Sequence, residues 1–241
     1  MLQKTRGIVL HGLRYGENGT VTTIYTEAFG RISFLMQGTH GKKSSVKSNL
    51  LRQLFLLEME VDHKPGRELQ RVREIKNIVP YRSIPFEISK STQAIFLAEI
   101  LGKVLREEES RPELFEFLFR SCQIFDLMEE GIGNFHLIFL VQLTRYLGFG
   151  PMNNYSEANQ IFDLIGGKFV SLPPTHPWFL KNPESSVLFQ LLGLNYQNSA
   201  EFKPEKGLRQ VLLDIVLDYY GLHLGSKLKL KSLEIVREIL H

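Results

Sequence analysis

Two rhythms divide the chain. Through residues 4–78 apolar residues recur in short runs with a period of two, the mark of half-buried strands. Gly7-Ile8-Val9-Leu10-His11 is the first run, closed by the turn-forming cluster Tyr15-Gly16-Glu17-Asn18-Gly19. Thr20 to Thr26 follows, almost wholly β-branched or aromatic. A short turn at Phe29-Gly30 leads into a strand on which Ile32, Phe34 and Met36 share one face. The cleanest alternation comes fourth, with Phe55, Leu57, Met59 and Val61 set against Leu56, Glu58, Glu60 and Asp62. Lys64-Pro65-Gly66 is a turn, and Leu69 to Ile78 makes a fifth strand before Pro80 and Pro85 close the region. Five strands with the longest gap between the third and fourth predict a small closed barrel. An OB-fold places a helix or long loop in that gap. An SH3-like barrel also has five strands, and the pattern leaves both open.

Beyond residue 80 the period becomes helical. Ala94, Leu97, Ala98, Leu101 and Leu105 fall on one face of a helix over 86–108, with Phe96 and Ile100 beside them. Ser110 to Glu113 fits a capping box with Pro112 in the first turn, opening a helix that Gly131 stops after Glu130. The next helix, about Asn134 to Leu147, is apolar nearly all round and so predicts the centre of a bundle. Residues 151–183 are irregular. Within them Ile161 to Ile165, Gly166-Gly167 and Lys168 to Val170 predict a hairpin with a tight two-residue loop. A short helix over Glu184 to Leu192, a regular one carrying Leu208 to Tyr219 and ended by Gly221, and a last one over Ser232 to Leu240 complete the chain. The fold class is α+β: a five-stranded barrel over 1–80 and a mainly helical domain over 81–241, with 151–183 as an irregular segment inside it.

Composition narrows the chemistry. The 241 residues are 43% hydrophobic and 23% charged, which excludes a disordered or collagen-like chain. The single cysteine, Cys122, rules out an internal disulfide and any zinc site built on several cysteines. The longest pure apolar run, Leu137 to Val141, is too short to span a membrane, and the N-terminus lacks the apolar stretch of a signal peptide, so the expected location is the cytoplasm. There is no His-Glu-x-x-His and no Gly-x-Ser-x-Gly, and the seven histidines are scattered. Gly38 to Ser44 fails as a P-loop, because Lys43 intrudes before Ser44 and no glycine holds the first position. No catalytic residue, metal ligand or cofactor is assigned. His136 and Cys122 read as core residues.

Charge points elsewhere. The net +3 hides 13 Lys and Arg against 7 Asp and Glu in residues 1–80, and 16 against 19 in the remainder. A basic barrel on a mildly acidic scaffold predicts a polyanionic ligand for the barrel. Residues 38–53 carry Lys42, Lys43, Lys47 and Arg52 with no acid, among glycines and serines that let a phosphate strand approach. With Arg14, Arg31 and His40 they form the candidate nucleic-acid contact, and Tyr15 and Tyr25 are the candidate platforms for stacked bases. Phe34 reads as barrel core. A different reading makes the barrel a protein-interaction adaptor with incidental nucleic-acid binding.

Several stretches carry a family likeness. Lys4-Thr5-Arg6-Gly7-Ile8-Val9-Leu10, Tyr15-Gly16-Glu17 and Thr26-Glu27-Ala28-Phe29-Gly30-Arg31-Ile32-Ser33 resemble the N-terminal region of RecO, a family of bacterial DNA repair and recombination mediators. Gly38 with its Lys- and Ser-rich loop and the strand Leu54 to Val61 continue the likeness. So do Ala98-Glu99-Ile100-Leu101, Pro112-Glu113-Leu114-Phe115, Arg145 to Pro151, Tyr219 to His223 and Lys231-Ser232-Leu233. The resemblance implies an OB-fold joined to a helical domain. It implies binding of single- and double-stranded DNA, annealing of complementary strands, and a cytoplasmic, nucleoid-associated protein. It also implies partnership with RecR, contact with the acidic tail of single-strand binding protein, and indirect help in loading RecA at gaps. Arg120 and Arg145 are the residues placed to meet that acidic tail. Many relatives carry four cysteines as a zinc module after the Leu-Gly-Phe-x-Pro stretch. Here that region reads Met152-Asn153-Asn154-Tyr155-Ser156-Glu157-Ala158-Asn159, so zinc is not carried over, and the hairpin is expected to keep the module's shape without it.

Overall fold

The five predicted strands form, and they close on themselves. The computed structural model describes residues 2–17, 19–37, 49–105, 109–205 and 207–240. Strands β1 (Leu2–Tyr15), β2 (Gly19–Thr26), β3 (Gly30–Gln37), β4 (Leu56–Asp62) and β5 (Leu69–Asn77) lie in the barrel order β1-β2-β3-β5-β4. β4 returns to pair with β1, and β3 runs parallel to β5 over Ser33–Leu35 and Leu69–Arg71. This closed order is that of the OB-fold, and it settles the choice between the two small barrels. Ile24, Ile32, Phe34, Met59 and Val61 fill the interior. Gly7 is dictated by that packing, since a Cβ there would lie 2.7 Å from Ile24 and 2.8 Å from Met59.

The chain divides into two compact units, Met1–Leu127 and Met128–His241. Helices α1 (Ile88–Val104) and α2 (Pro112–Leu127) therefore belong to the same unit as the barrel. They cover part of its outer surface. Ile8, Tyr25 and Leu56 pair across strands on the outside of the barrel, yet all three are buried. Tyr25 stacks on Phe115 of α2 with ring centroids 6.2 Å apart.

Two polar knots fasten this unit. Arg6 donates to both carboxylate oxygens of Glu27 (2.9 and 2.8 Å) and to Glu116 (3.1 Å), and its guanidinium lies 4.7 Å from the Phe119 ring centre. The hydrogen bonds from Arg6 hold the Glu27 carboxyl below the usual carboxylate range. The second knot closes the segment between β5 and α1. Asp126, near the end of α2, accepts the backbone N–H groups of Arg82, Ser83 and Ile84 at 2.8–2.9 Å. Buried Lys90 reaches the Ser83 hydroxyl (2.7 Å) and the Asp126 carbonyl (3.1 Å). Burial alone would raise the Asp126 pKa, but these donors outweigh it, and the carboxyl sits below its ordinary value.

In the second unit α3 (Phe135–Tyr146) is buried on nearly every side, as its apolar sequence requires. The Tyr220 hydroxyl donates to its Leu140 carbonyl at 2.8 Å. A small sheet of β6 (Ile161–Asp163), β7 (Lys168–Val170) and β8 (Phe179–Leu180) lies in the order β7-β6-β8. Helices α4 (Glu184–Leu192), α5 (Leu208–His223) and α6 (Leu233–Leu240) follow.

Four local expectations change. The hairpin loop has four residues, since the last pair is Asp163 with Lys168; the Asp163 carboxylate accepts the N–H groups of Ile165 and Gly166 and so builds a wider turn. Helix α2 ends at Leu127, because the Asp126 side chain turns back to bind the 82–84 backbone. Ser110 spends its hydroxyl on the Glu27 carbonyl (2.7 Å), where a capping box would direct it to a helix N–H. Gly221 stays helical, and Gly225 at φ 69°, just past the cap residue Leu224, supplies the left-handed stop.

Candidate nucleic-acid interface

The outside of the barrel has two contrasting faces. Where β1, β4 and β5 meet, cations and carboxylates interleave across the strands. Lys4 stands opposite Glu60, Arg6 opposite Glu58, and Glu58 opposite Lys76. A cavity of about 500 Å3 on this side is lined by Lys4, Arg73 and Lys76 and by Glu58, Glu60 and Glu74. Three charges of each sign leave it no pull on a polyanion.

The other face is built from β1, β2 and β3. A register shift between Val9 and His11 sets the second half of β1 against β2. Cross-strand pairing then aligns His11 with Thr23 and Ser33, Leu13 with Val21 and Leu35, and Tyr15 with Gly19 and Gln37. Leu69 of β5 continues the Ser33 row, and Arg71 continues the Leu35 row. No carboxylate interrupts these rows between His11 and Leu69. Leu13 is 59% and Tyr15 57% exposed, so an aromatic ring and an aliphatic side chain stand in solvent above strand rows that mix Thr23, Ser33 and Gln37 with Val21 and Leu35. The pleat that puts Leu13 and Tyr15 on one side puts Arg14 on the other side of the same ribbon.

Cations border this face. Arg71 is exposed, with Asp62 as its other cross-strand neighbour. The loop joining β4 to β5 carries exposed Lys64, Arg67 and Glu68. Its turn, Lys64-Pro65-Gly66-Arg67, closes through Arg67 N–H to the Lys64 carbonyl (3.2 Å), with Gly66 at φ 77° as a Pro-Gly turn demands. His63 stacks on Phe29 with ring centres 4.2 Å apart.

The candidate residues named from sequence scatter over these surfaces. Tyr15 lies on the acid-free face. Tyr25 lies in the same sheet but is 2% exposed, because α2 lies over it; its ring is core and offers no surface to a base. Arg31 pairs with Tyr25 and directs its guanidinium to the carbonyls of Leu105 (3.2 Å) and Gly102 (3.5 Å), at the C-terminal end of α1. There it neutralises carbonyls that helix geometry leaves over. Arg52 is exposed in the turn entering β4. His40, Lys42, Lys43 and Lys47 lie outside the described residues. Arg120 is exposed on α2 and donates to Glu116 at 2.6 Å. Arg145 is exposed on α3, in the second unit. Sequence reading passed over His11, Leu13, Lys64 and Arg67. The signal was available: a turn flanked by two cations, and outward positions on three consecutive strands without one acid.

Residues 151–160 hold no cysteine, and among the described residues no three His, Cys, Asp or Glu gather to hold a metal. Asn154 instead makes a two-point contact with the backbone of Phe169, accepting its N–H and donating to its carbonyl, both at 2.9 Å. Rings of Tyr155, Phe162, Phe169 and Phe189 pack around this contact. Cys122, in the first unit, is buried, and burial pushes its thiol up to about 12, so it stays protonated at neutral pH.

Comparison with known proteins agrees with this architecture. The family model described as Recombination protein O N terminal matches residues 1–81, and that described as Recombination protein O C terminal matches residues 85–234. A DNA repair protein RecO of Phocaeicola vulgatus is 39% identical over 239 residues, 99% of each chain. One of Bacteroides fragilis is 39% identical over 240 residues, again 99% of each. One of Flavobacterium psychrophilum is 34% identical over 238 residues, 98% of each.

Proposed function

Since the chain belongs to the RecO family of DNA repair proteins, we propose that it is a non-enzymatic mediator that binds single- and double-stranded DNA on the acid-free face of its barrel. The observation that carries this reading is the contrast between the two barrel faces. One is charge-compensated strand by strand. The strand rows of the other present Tyr15 and Leu13 without a carboxylate, and the exposed border carries Arg71, Lys64 and Arg67 against Glu68 and Glu17. OB-folds take single strands on the surface of strands two and three, between the β1–β2 and β4–β5 loops. Tyr15 ends β1 where the first of those loops starts, and Lys64 and Arg67 lie on the second.

The mechanism is electrostatic. Cations neutralise phosphates and release condensed counterions, while an exposed ring holds a base by stacking. Neutralising phosphates on two strands lowers the repulsion that opposes their pairing, and so supports annealing. In this reading the protein works with RecR and with the acidic tail of single-strand binding protein, which Arg120 or Arg145 meets, and it helps load the recombinase RecA at gaps. Lys42, Lys43, Lys47, His40 and Arg52 are proposed as further phosphate contacts on the strength of their charge in the sequence.

The test is fluorescence anisotropy of a labelled single-stranded oligonucleotide with the isolated protein. Binding in the micromolar range or tighter at moderate salt is expected. With about four phosphate contacts, log affinity should fall against log salt with a slope near −3. Affinity independent of salt would overturn the reading and favour a protein-interaction adaptor.

A further inference from the structure

Among the described residues lining the barrel interior, buried Thr5, Thr22 and Thr26 are short, and Gln70 is the long polar side chain. Gln70 lies on β5 in register with Phe34 and is 2% exposed. Burying a primary amide beside Phe34 on the inner side of the barrel costs free energy unless its donors and acceptor are all used. They are. Its oxygen accepts the Lys64 N–H at 2.9 Å, and its nitrogen donates to the carbonyls of Lys64 and Arg67, each at 2.8 Å. All three bonds go to the backbone of the β4–β5 loop. On the other flank of that loop His63 stacks on Phe29. The loop is thus clamped from inside the barrel and from its entry, while Lys64 and Arg67 stay exposed.

An apolar residue would fill the Gln70 position without this polar cost. The amide therefore serves the loop, and the loop presents two cations at the border of the acid-free face. We infer that Gln70 is the positioning residue of the nucleic-acid site: it fixes the β4–β5 loop so that Lys64 and Arg67 meet strand phosphates without first being ordered. Preordering matters because each mobile side chain or loop residue immobilised on binding takes back part of the contact energy. This inference rests on the nucleic-acid reading above and adds to it a residue that touches no ligand.

The experiment is a double-mutant cycle read by oligonucleotide anisotropy. Gln70→Met keeps the side-chain length and removes all three hydrogen bonds. It should weaken single-strand binding by roughly three- to tenfold, on the scale of two solvent-screened charge contacts. Lys64→Ala with Arg67→Ala should weaken it by a similar factor. In that double-alanine background Gln70→Met should have no further effect, a coupling that a general loss of stability would not produce. Gly66→Ala is a second probe that spares the core. A Cβ there meets nothing within 4 Å, yet φ is 77°, so the turn is strained while the barrel stays intact. It should weaken binding in the same direction and is the decisive variant if Gln70→Met fails to fold. Unchanged affinity in both loop variants, or fully additive effects in the cycle, would overturn the inference while leaving wild-type binding in place. Failure of the wild-type protein to bind would instead remove the nucleic-acid reading itself.

Discussion

Replacing Asp126 with asparagine tests the polar knot that ties the barrel's exit segment to helix α2. The carboxylate is 5% exposed and accepts three backbone N–H groups, from Arg82 at 2.8 Å and from Ser83 and Ile84 at 2.9 Å. Ser83 and Ile84 share Oδ1, and Arg82 alone uses Oδ2. Asparagine can leave its carbonyl oxygen to the first pair, but then its NH2 confronts the Arg82 N–H, donor against donor. One charge-assisted bond is lost, and the other two fall to neutral strength. Hydrogen bonds to charged groups contribute about 1.5–3 kcal/mol each against about 1 kcal/mol for neutral ones, so the loss at pH 7 should be about 2.5–7 kcal/mol. The effect depends on pH with a definite sign. The folded-state pKa is depressed below the ordinary 3.8, so Asp126 contributes its full stabilisation above that value. The contribution fades as pH falls through the lower folded value, because the folded state must then give up a favoured charge. Wild type and variant should converge on acidification. Urea unfolding followed by far-ultraviolet circular dichroism at pH 7, 5, 4 and 3 measures both. A loss below about 0.5 kcal/mol at pH 7, or an equal fall in stability with acid for both proteins, would refute the reasoning.

Other outcomes follow from the same geometry. Tyr15→Ala should weaken single-strand binding by about 1–3 kcal/mol, the worth of one stacked base, and Tyr15→Trp should preserve it; anisotropy reads both. Arg6→Lys removes the two-point contact with Glu27 and the guanidinium's lie on Phe119, and should lower stability by about 1 kcal/mol in urea titration, a small figure because the pair is partly solvent-screened. In the second unit Gly167→Ala forces a Cβ to within 2.6 Å of the Tyr219 hydroxyl at φ 61°; an unfolding free energy lowered by about 1–3 kcal/mol should appear in denaturant titration followed by the fluorescence of Trp178, the chain's single tryptophan. Dialysed protein should carry no stoichiometric zinc, and a chelator should leave its thermal midpoint unchanged. Elemental analysis returning one zinc per chain would reverse that expectation.

Much of the architecture is legible in the sequence, because period-two and period-3.6 patterns report which side of each element meets the core. The alternation of Leu57, Met59 and Val61 with Glu58, Glu60 and Asp62 identifies β4 outright, and the all-round apolar stretch from Phe135 identifies a buried helix. What covers an outward face is not written in local periodicity. Tyr25 stands on the outside of its strand and looks available, but α2, some ninety residues later in the chain, closes over it. Arg31 has the composition of a phosphate contact, and only folding brings it to the carbonyls that end α1. Strand order likewise needed the tertiary structure, since the parallel pairing of β3 with β5 joins residues that no local signal relates. The acid-free face is intermediate. Its residues could be counted from the alternation, but the bulge at Val9–His11 sets which ones align, and a one-residue shift would exchange the two sides. By itself the sequence determined element types, the barrel, the basic first third and the family. The tertiary structure alone decided which polar groups are spent on packing and which remain for a ligand, because burial and hydrogen bonding depend on partners distant in the chain.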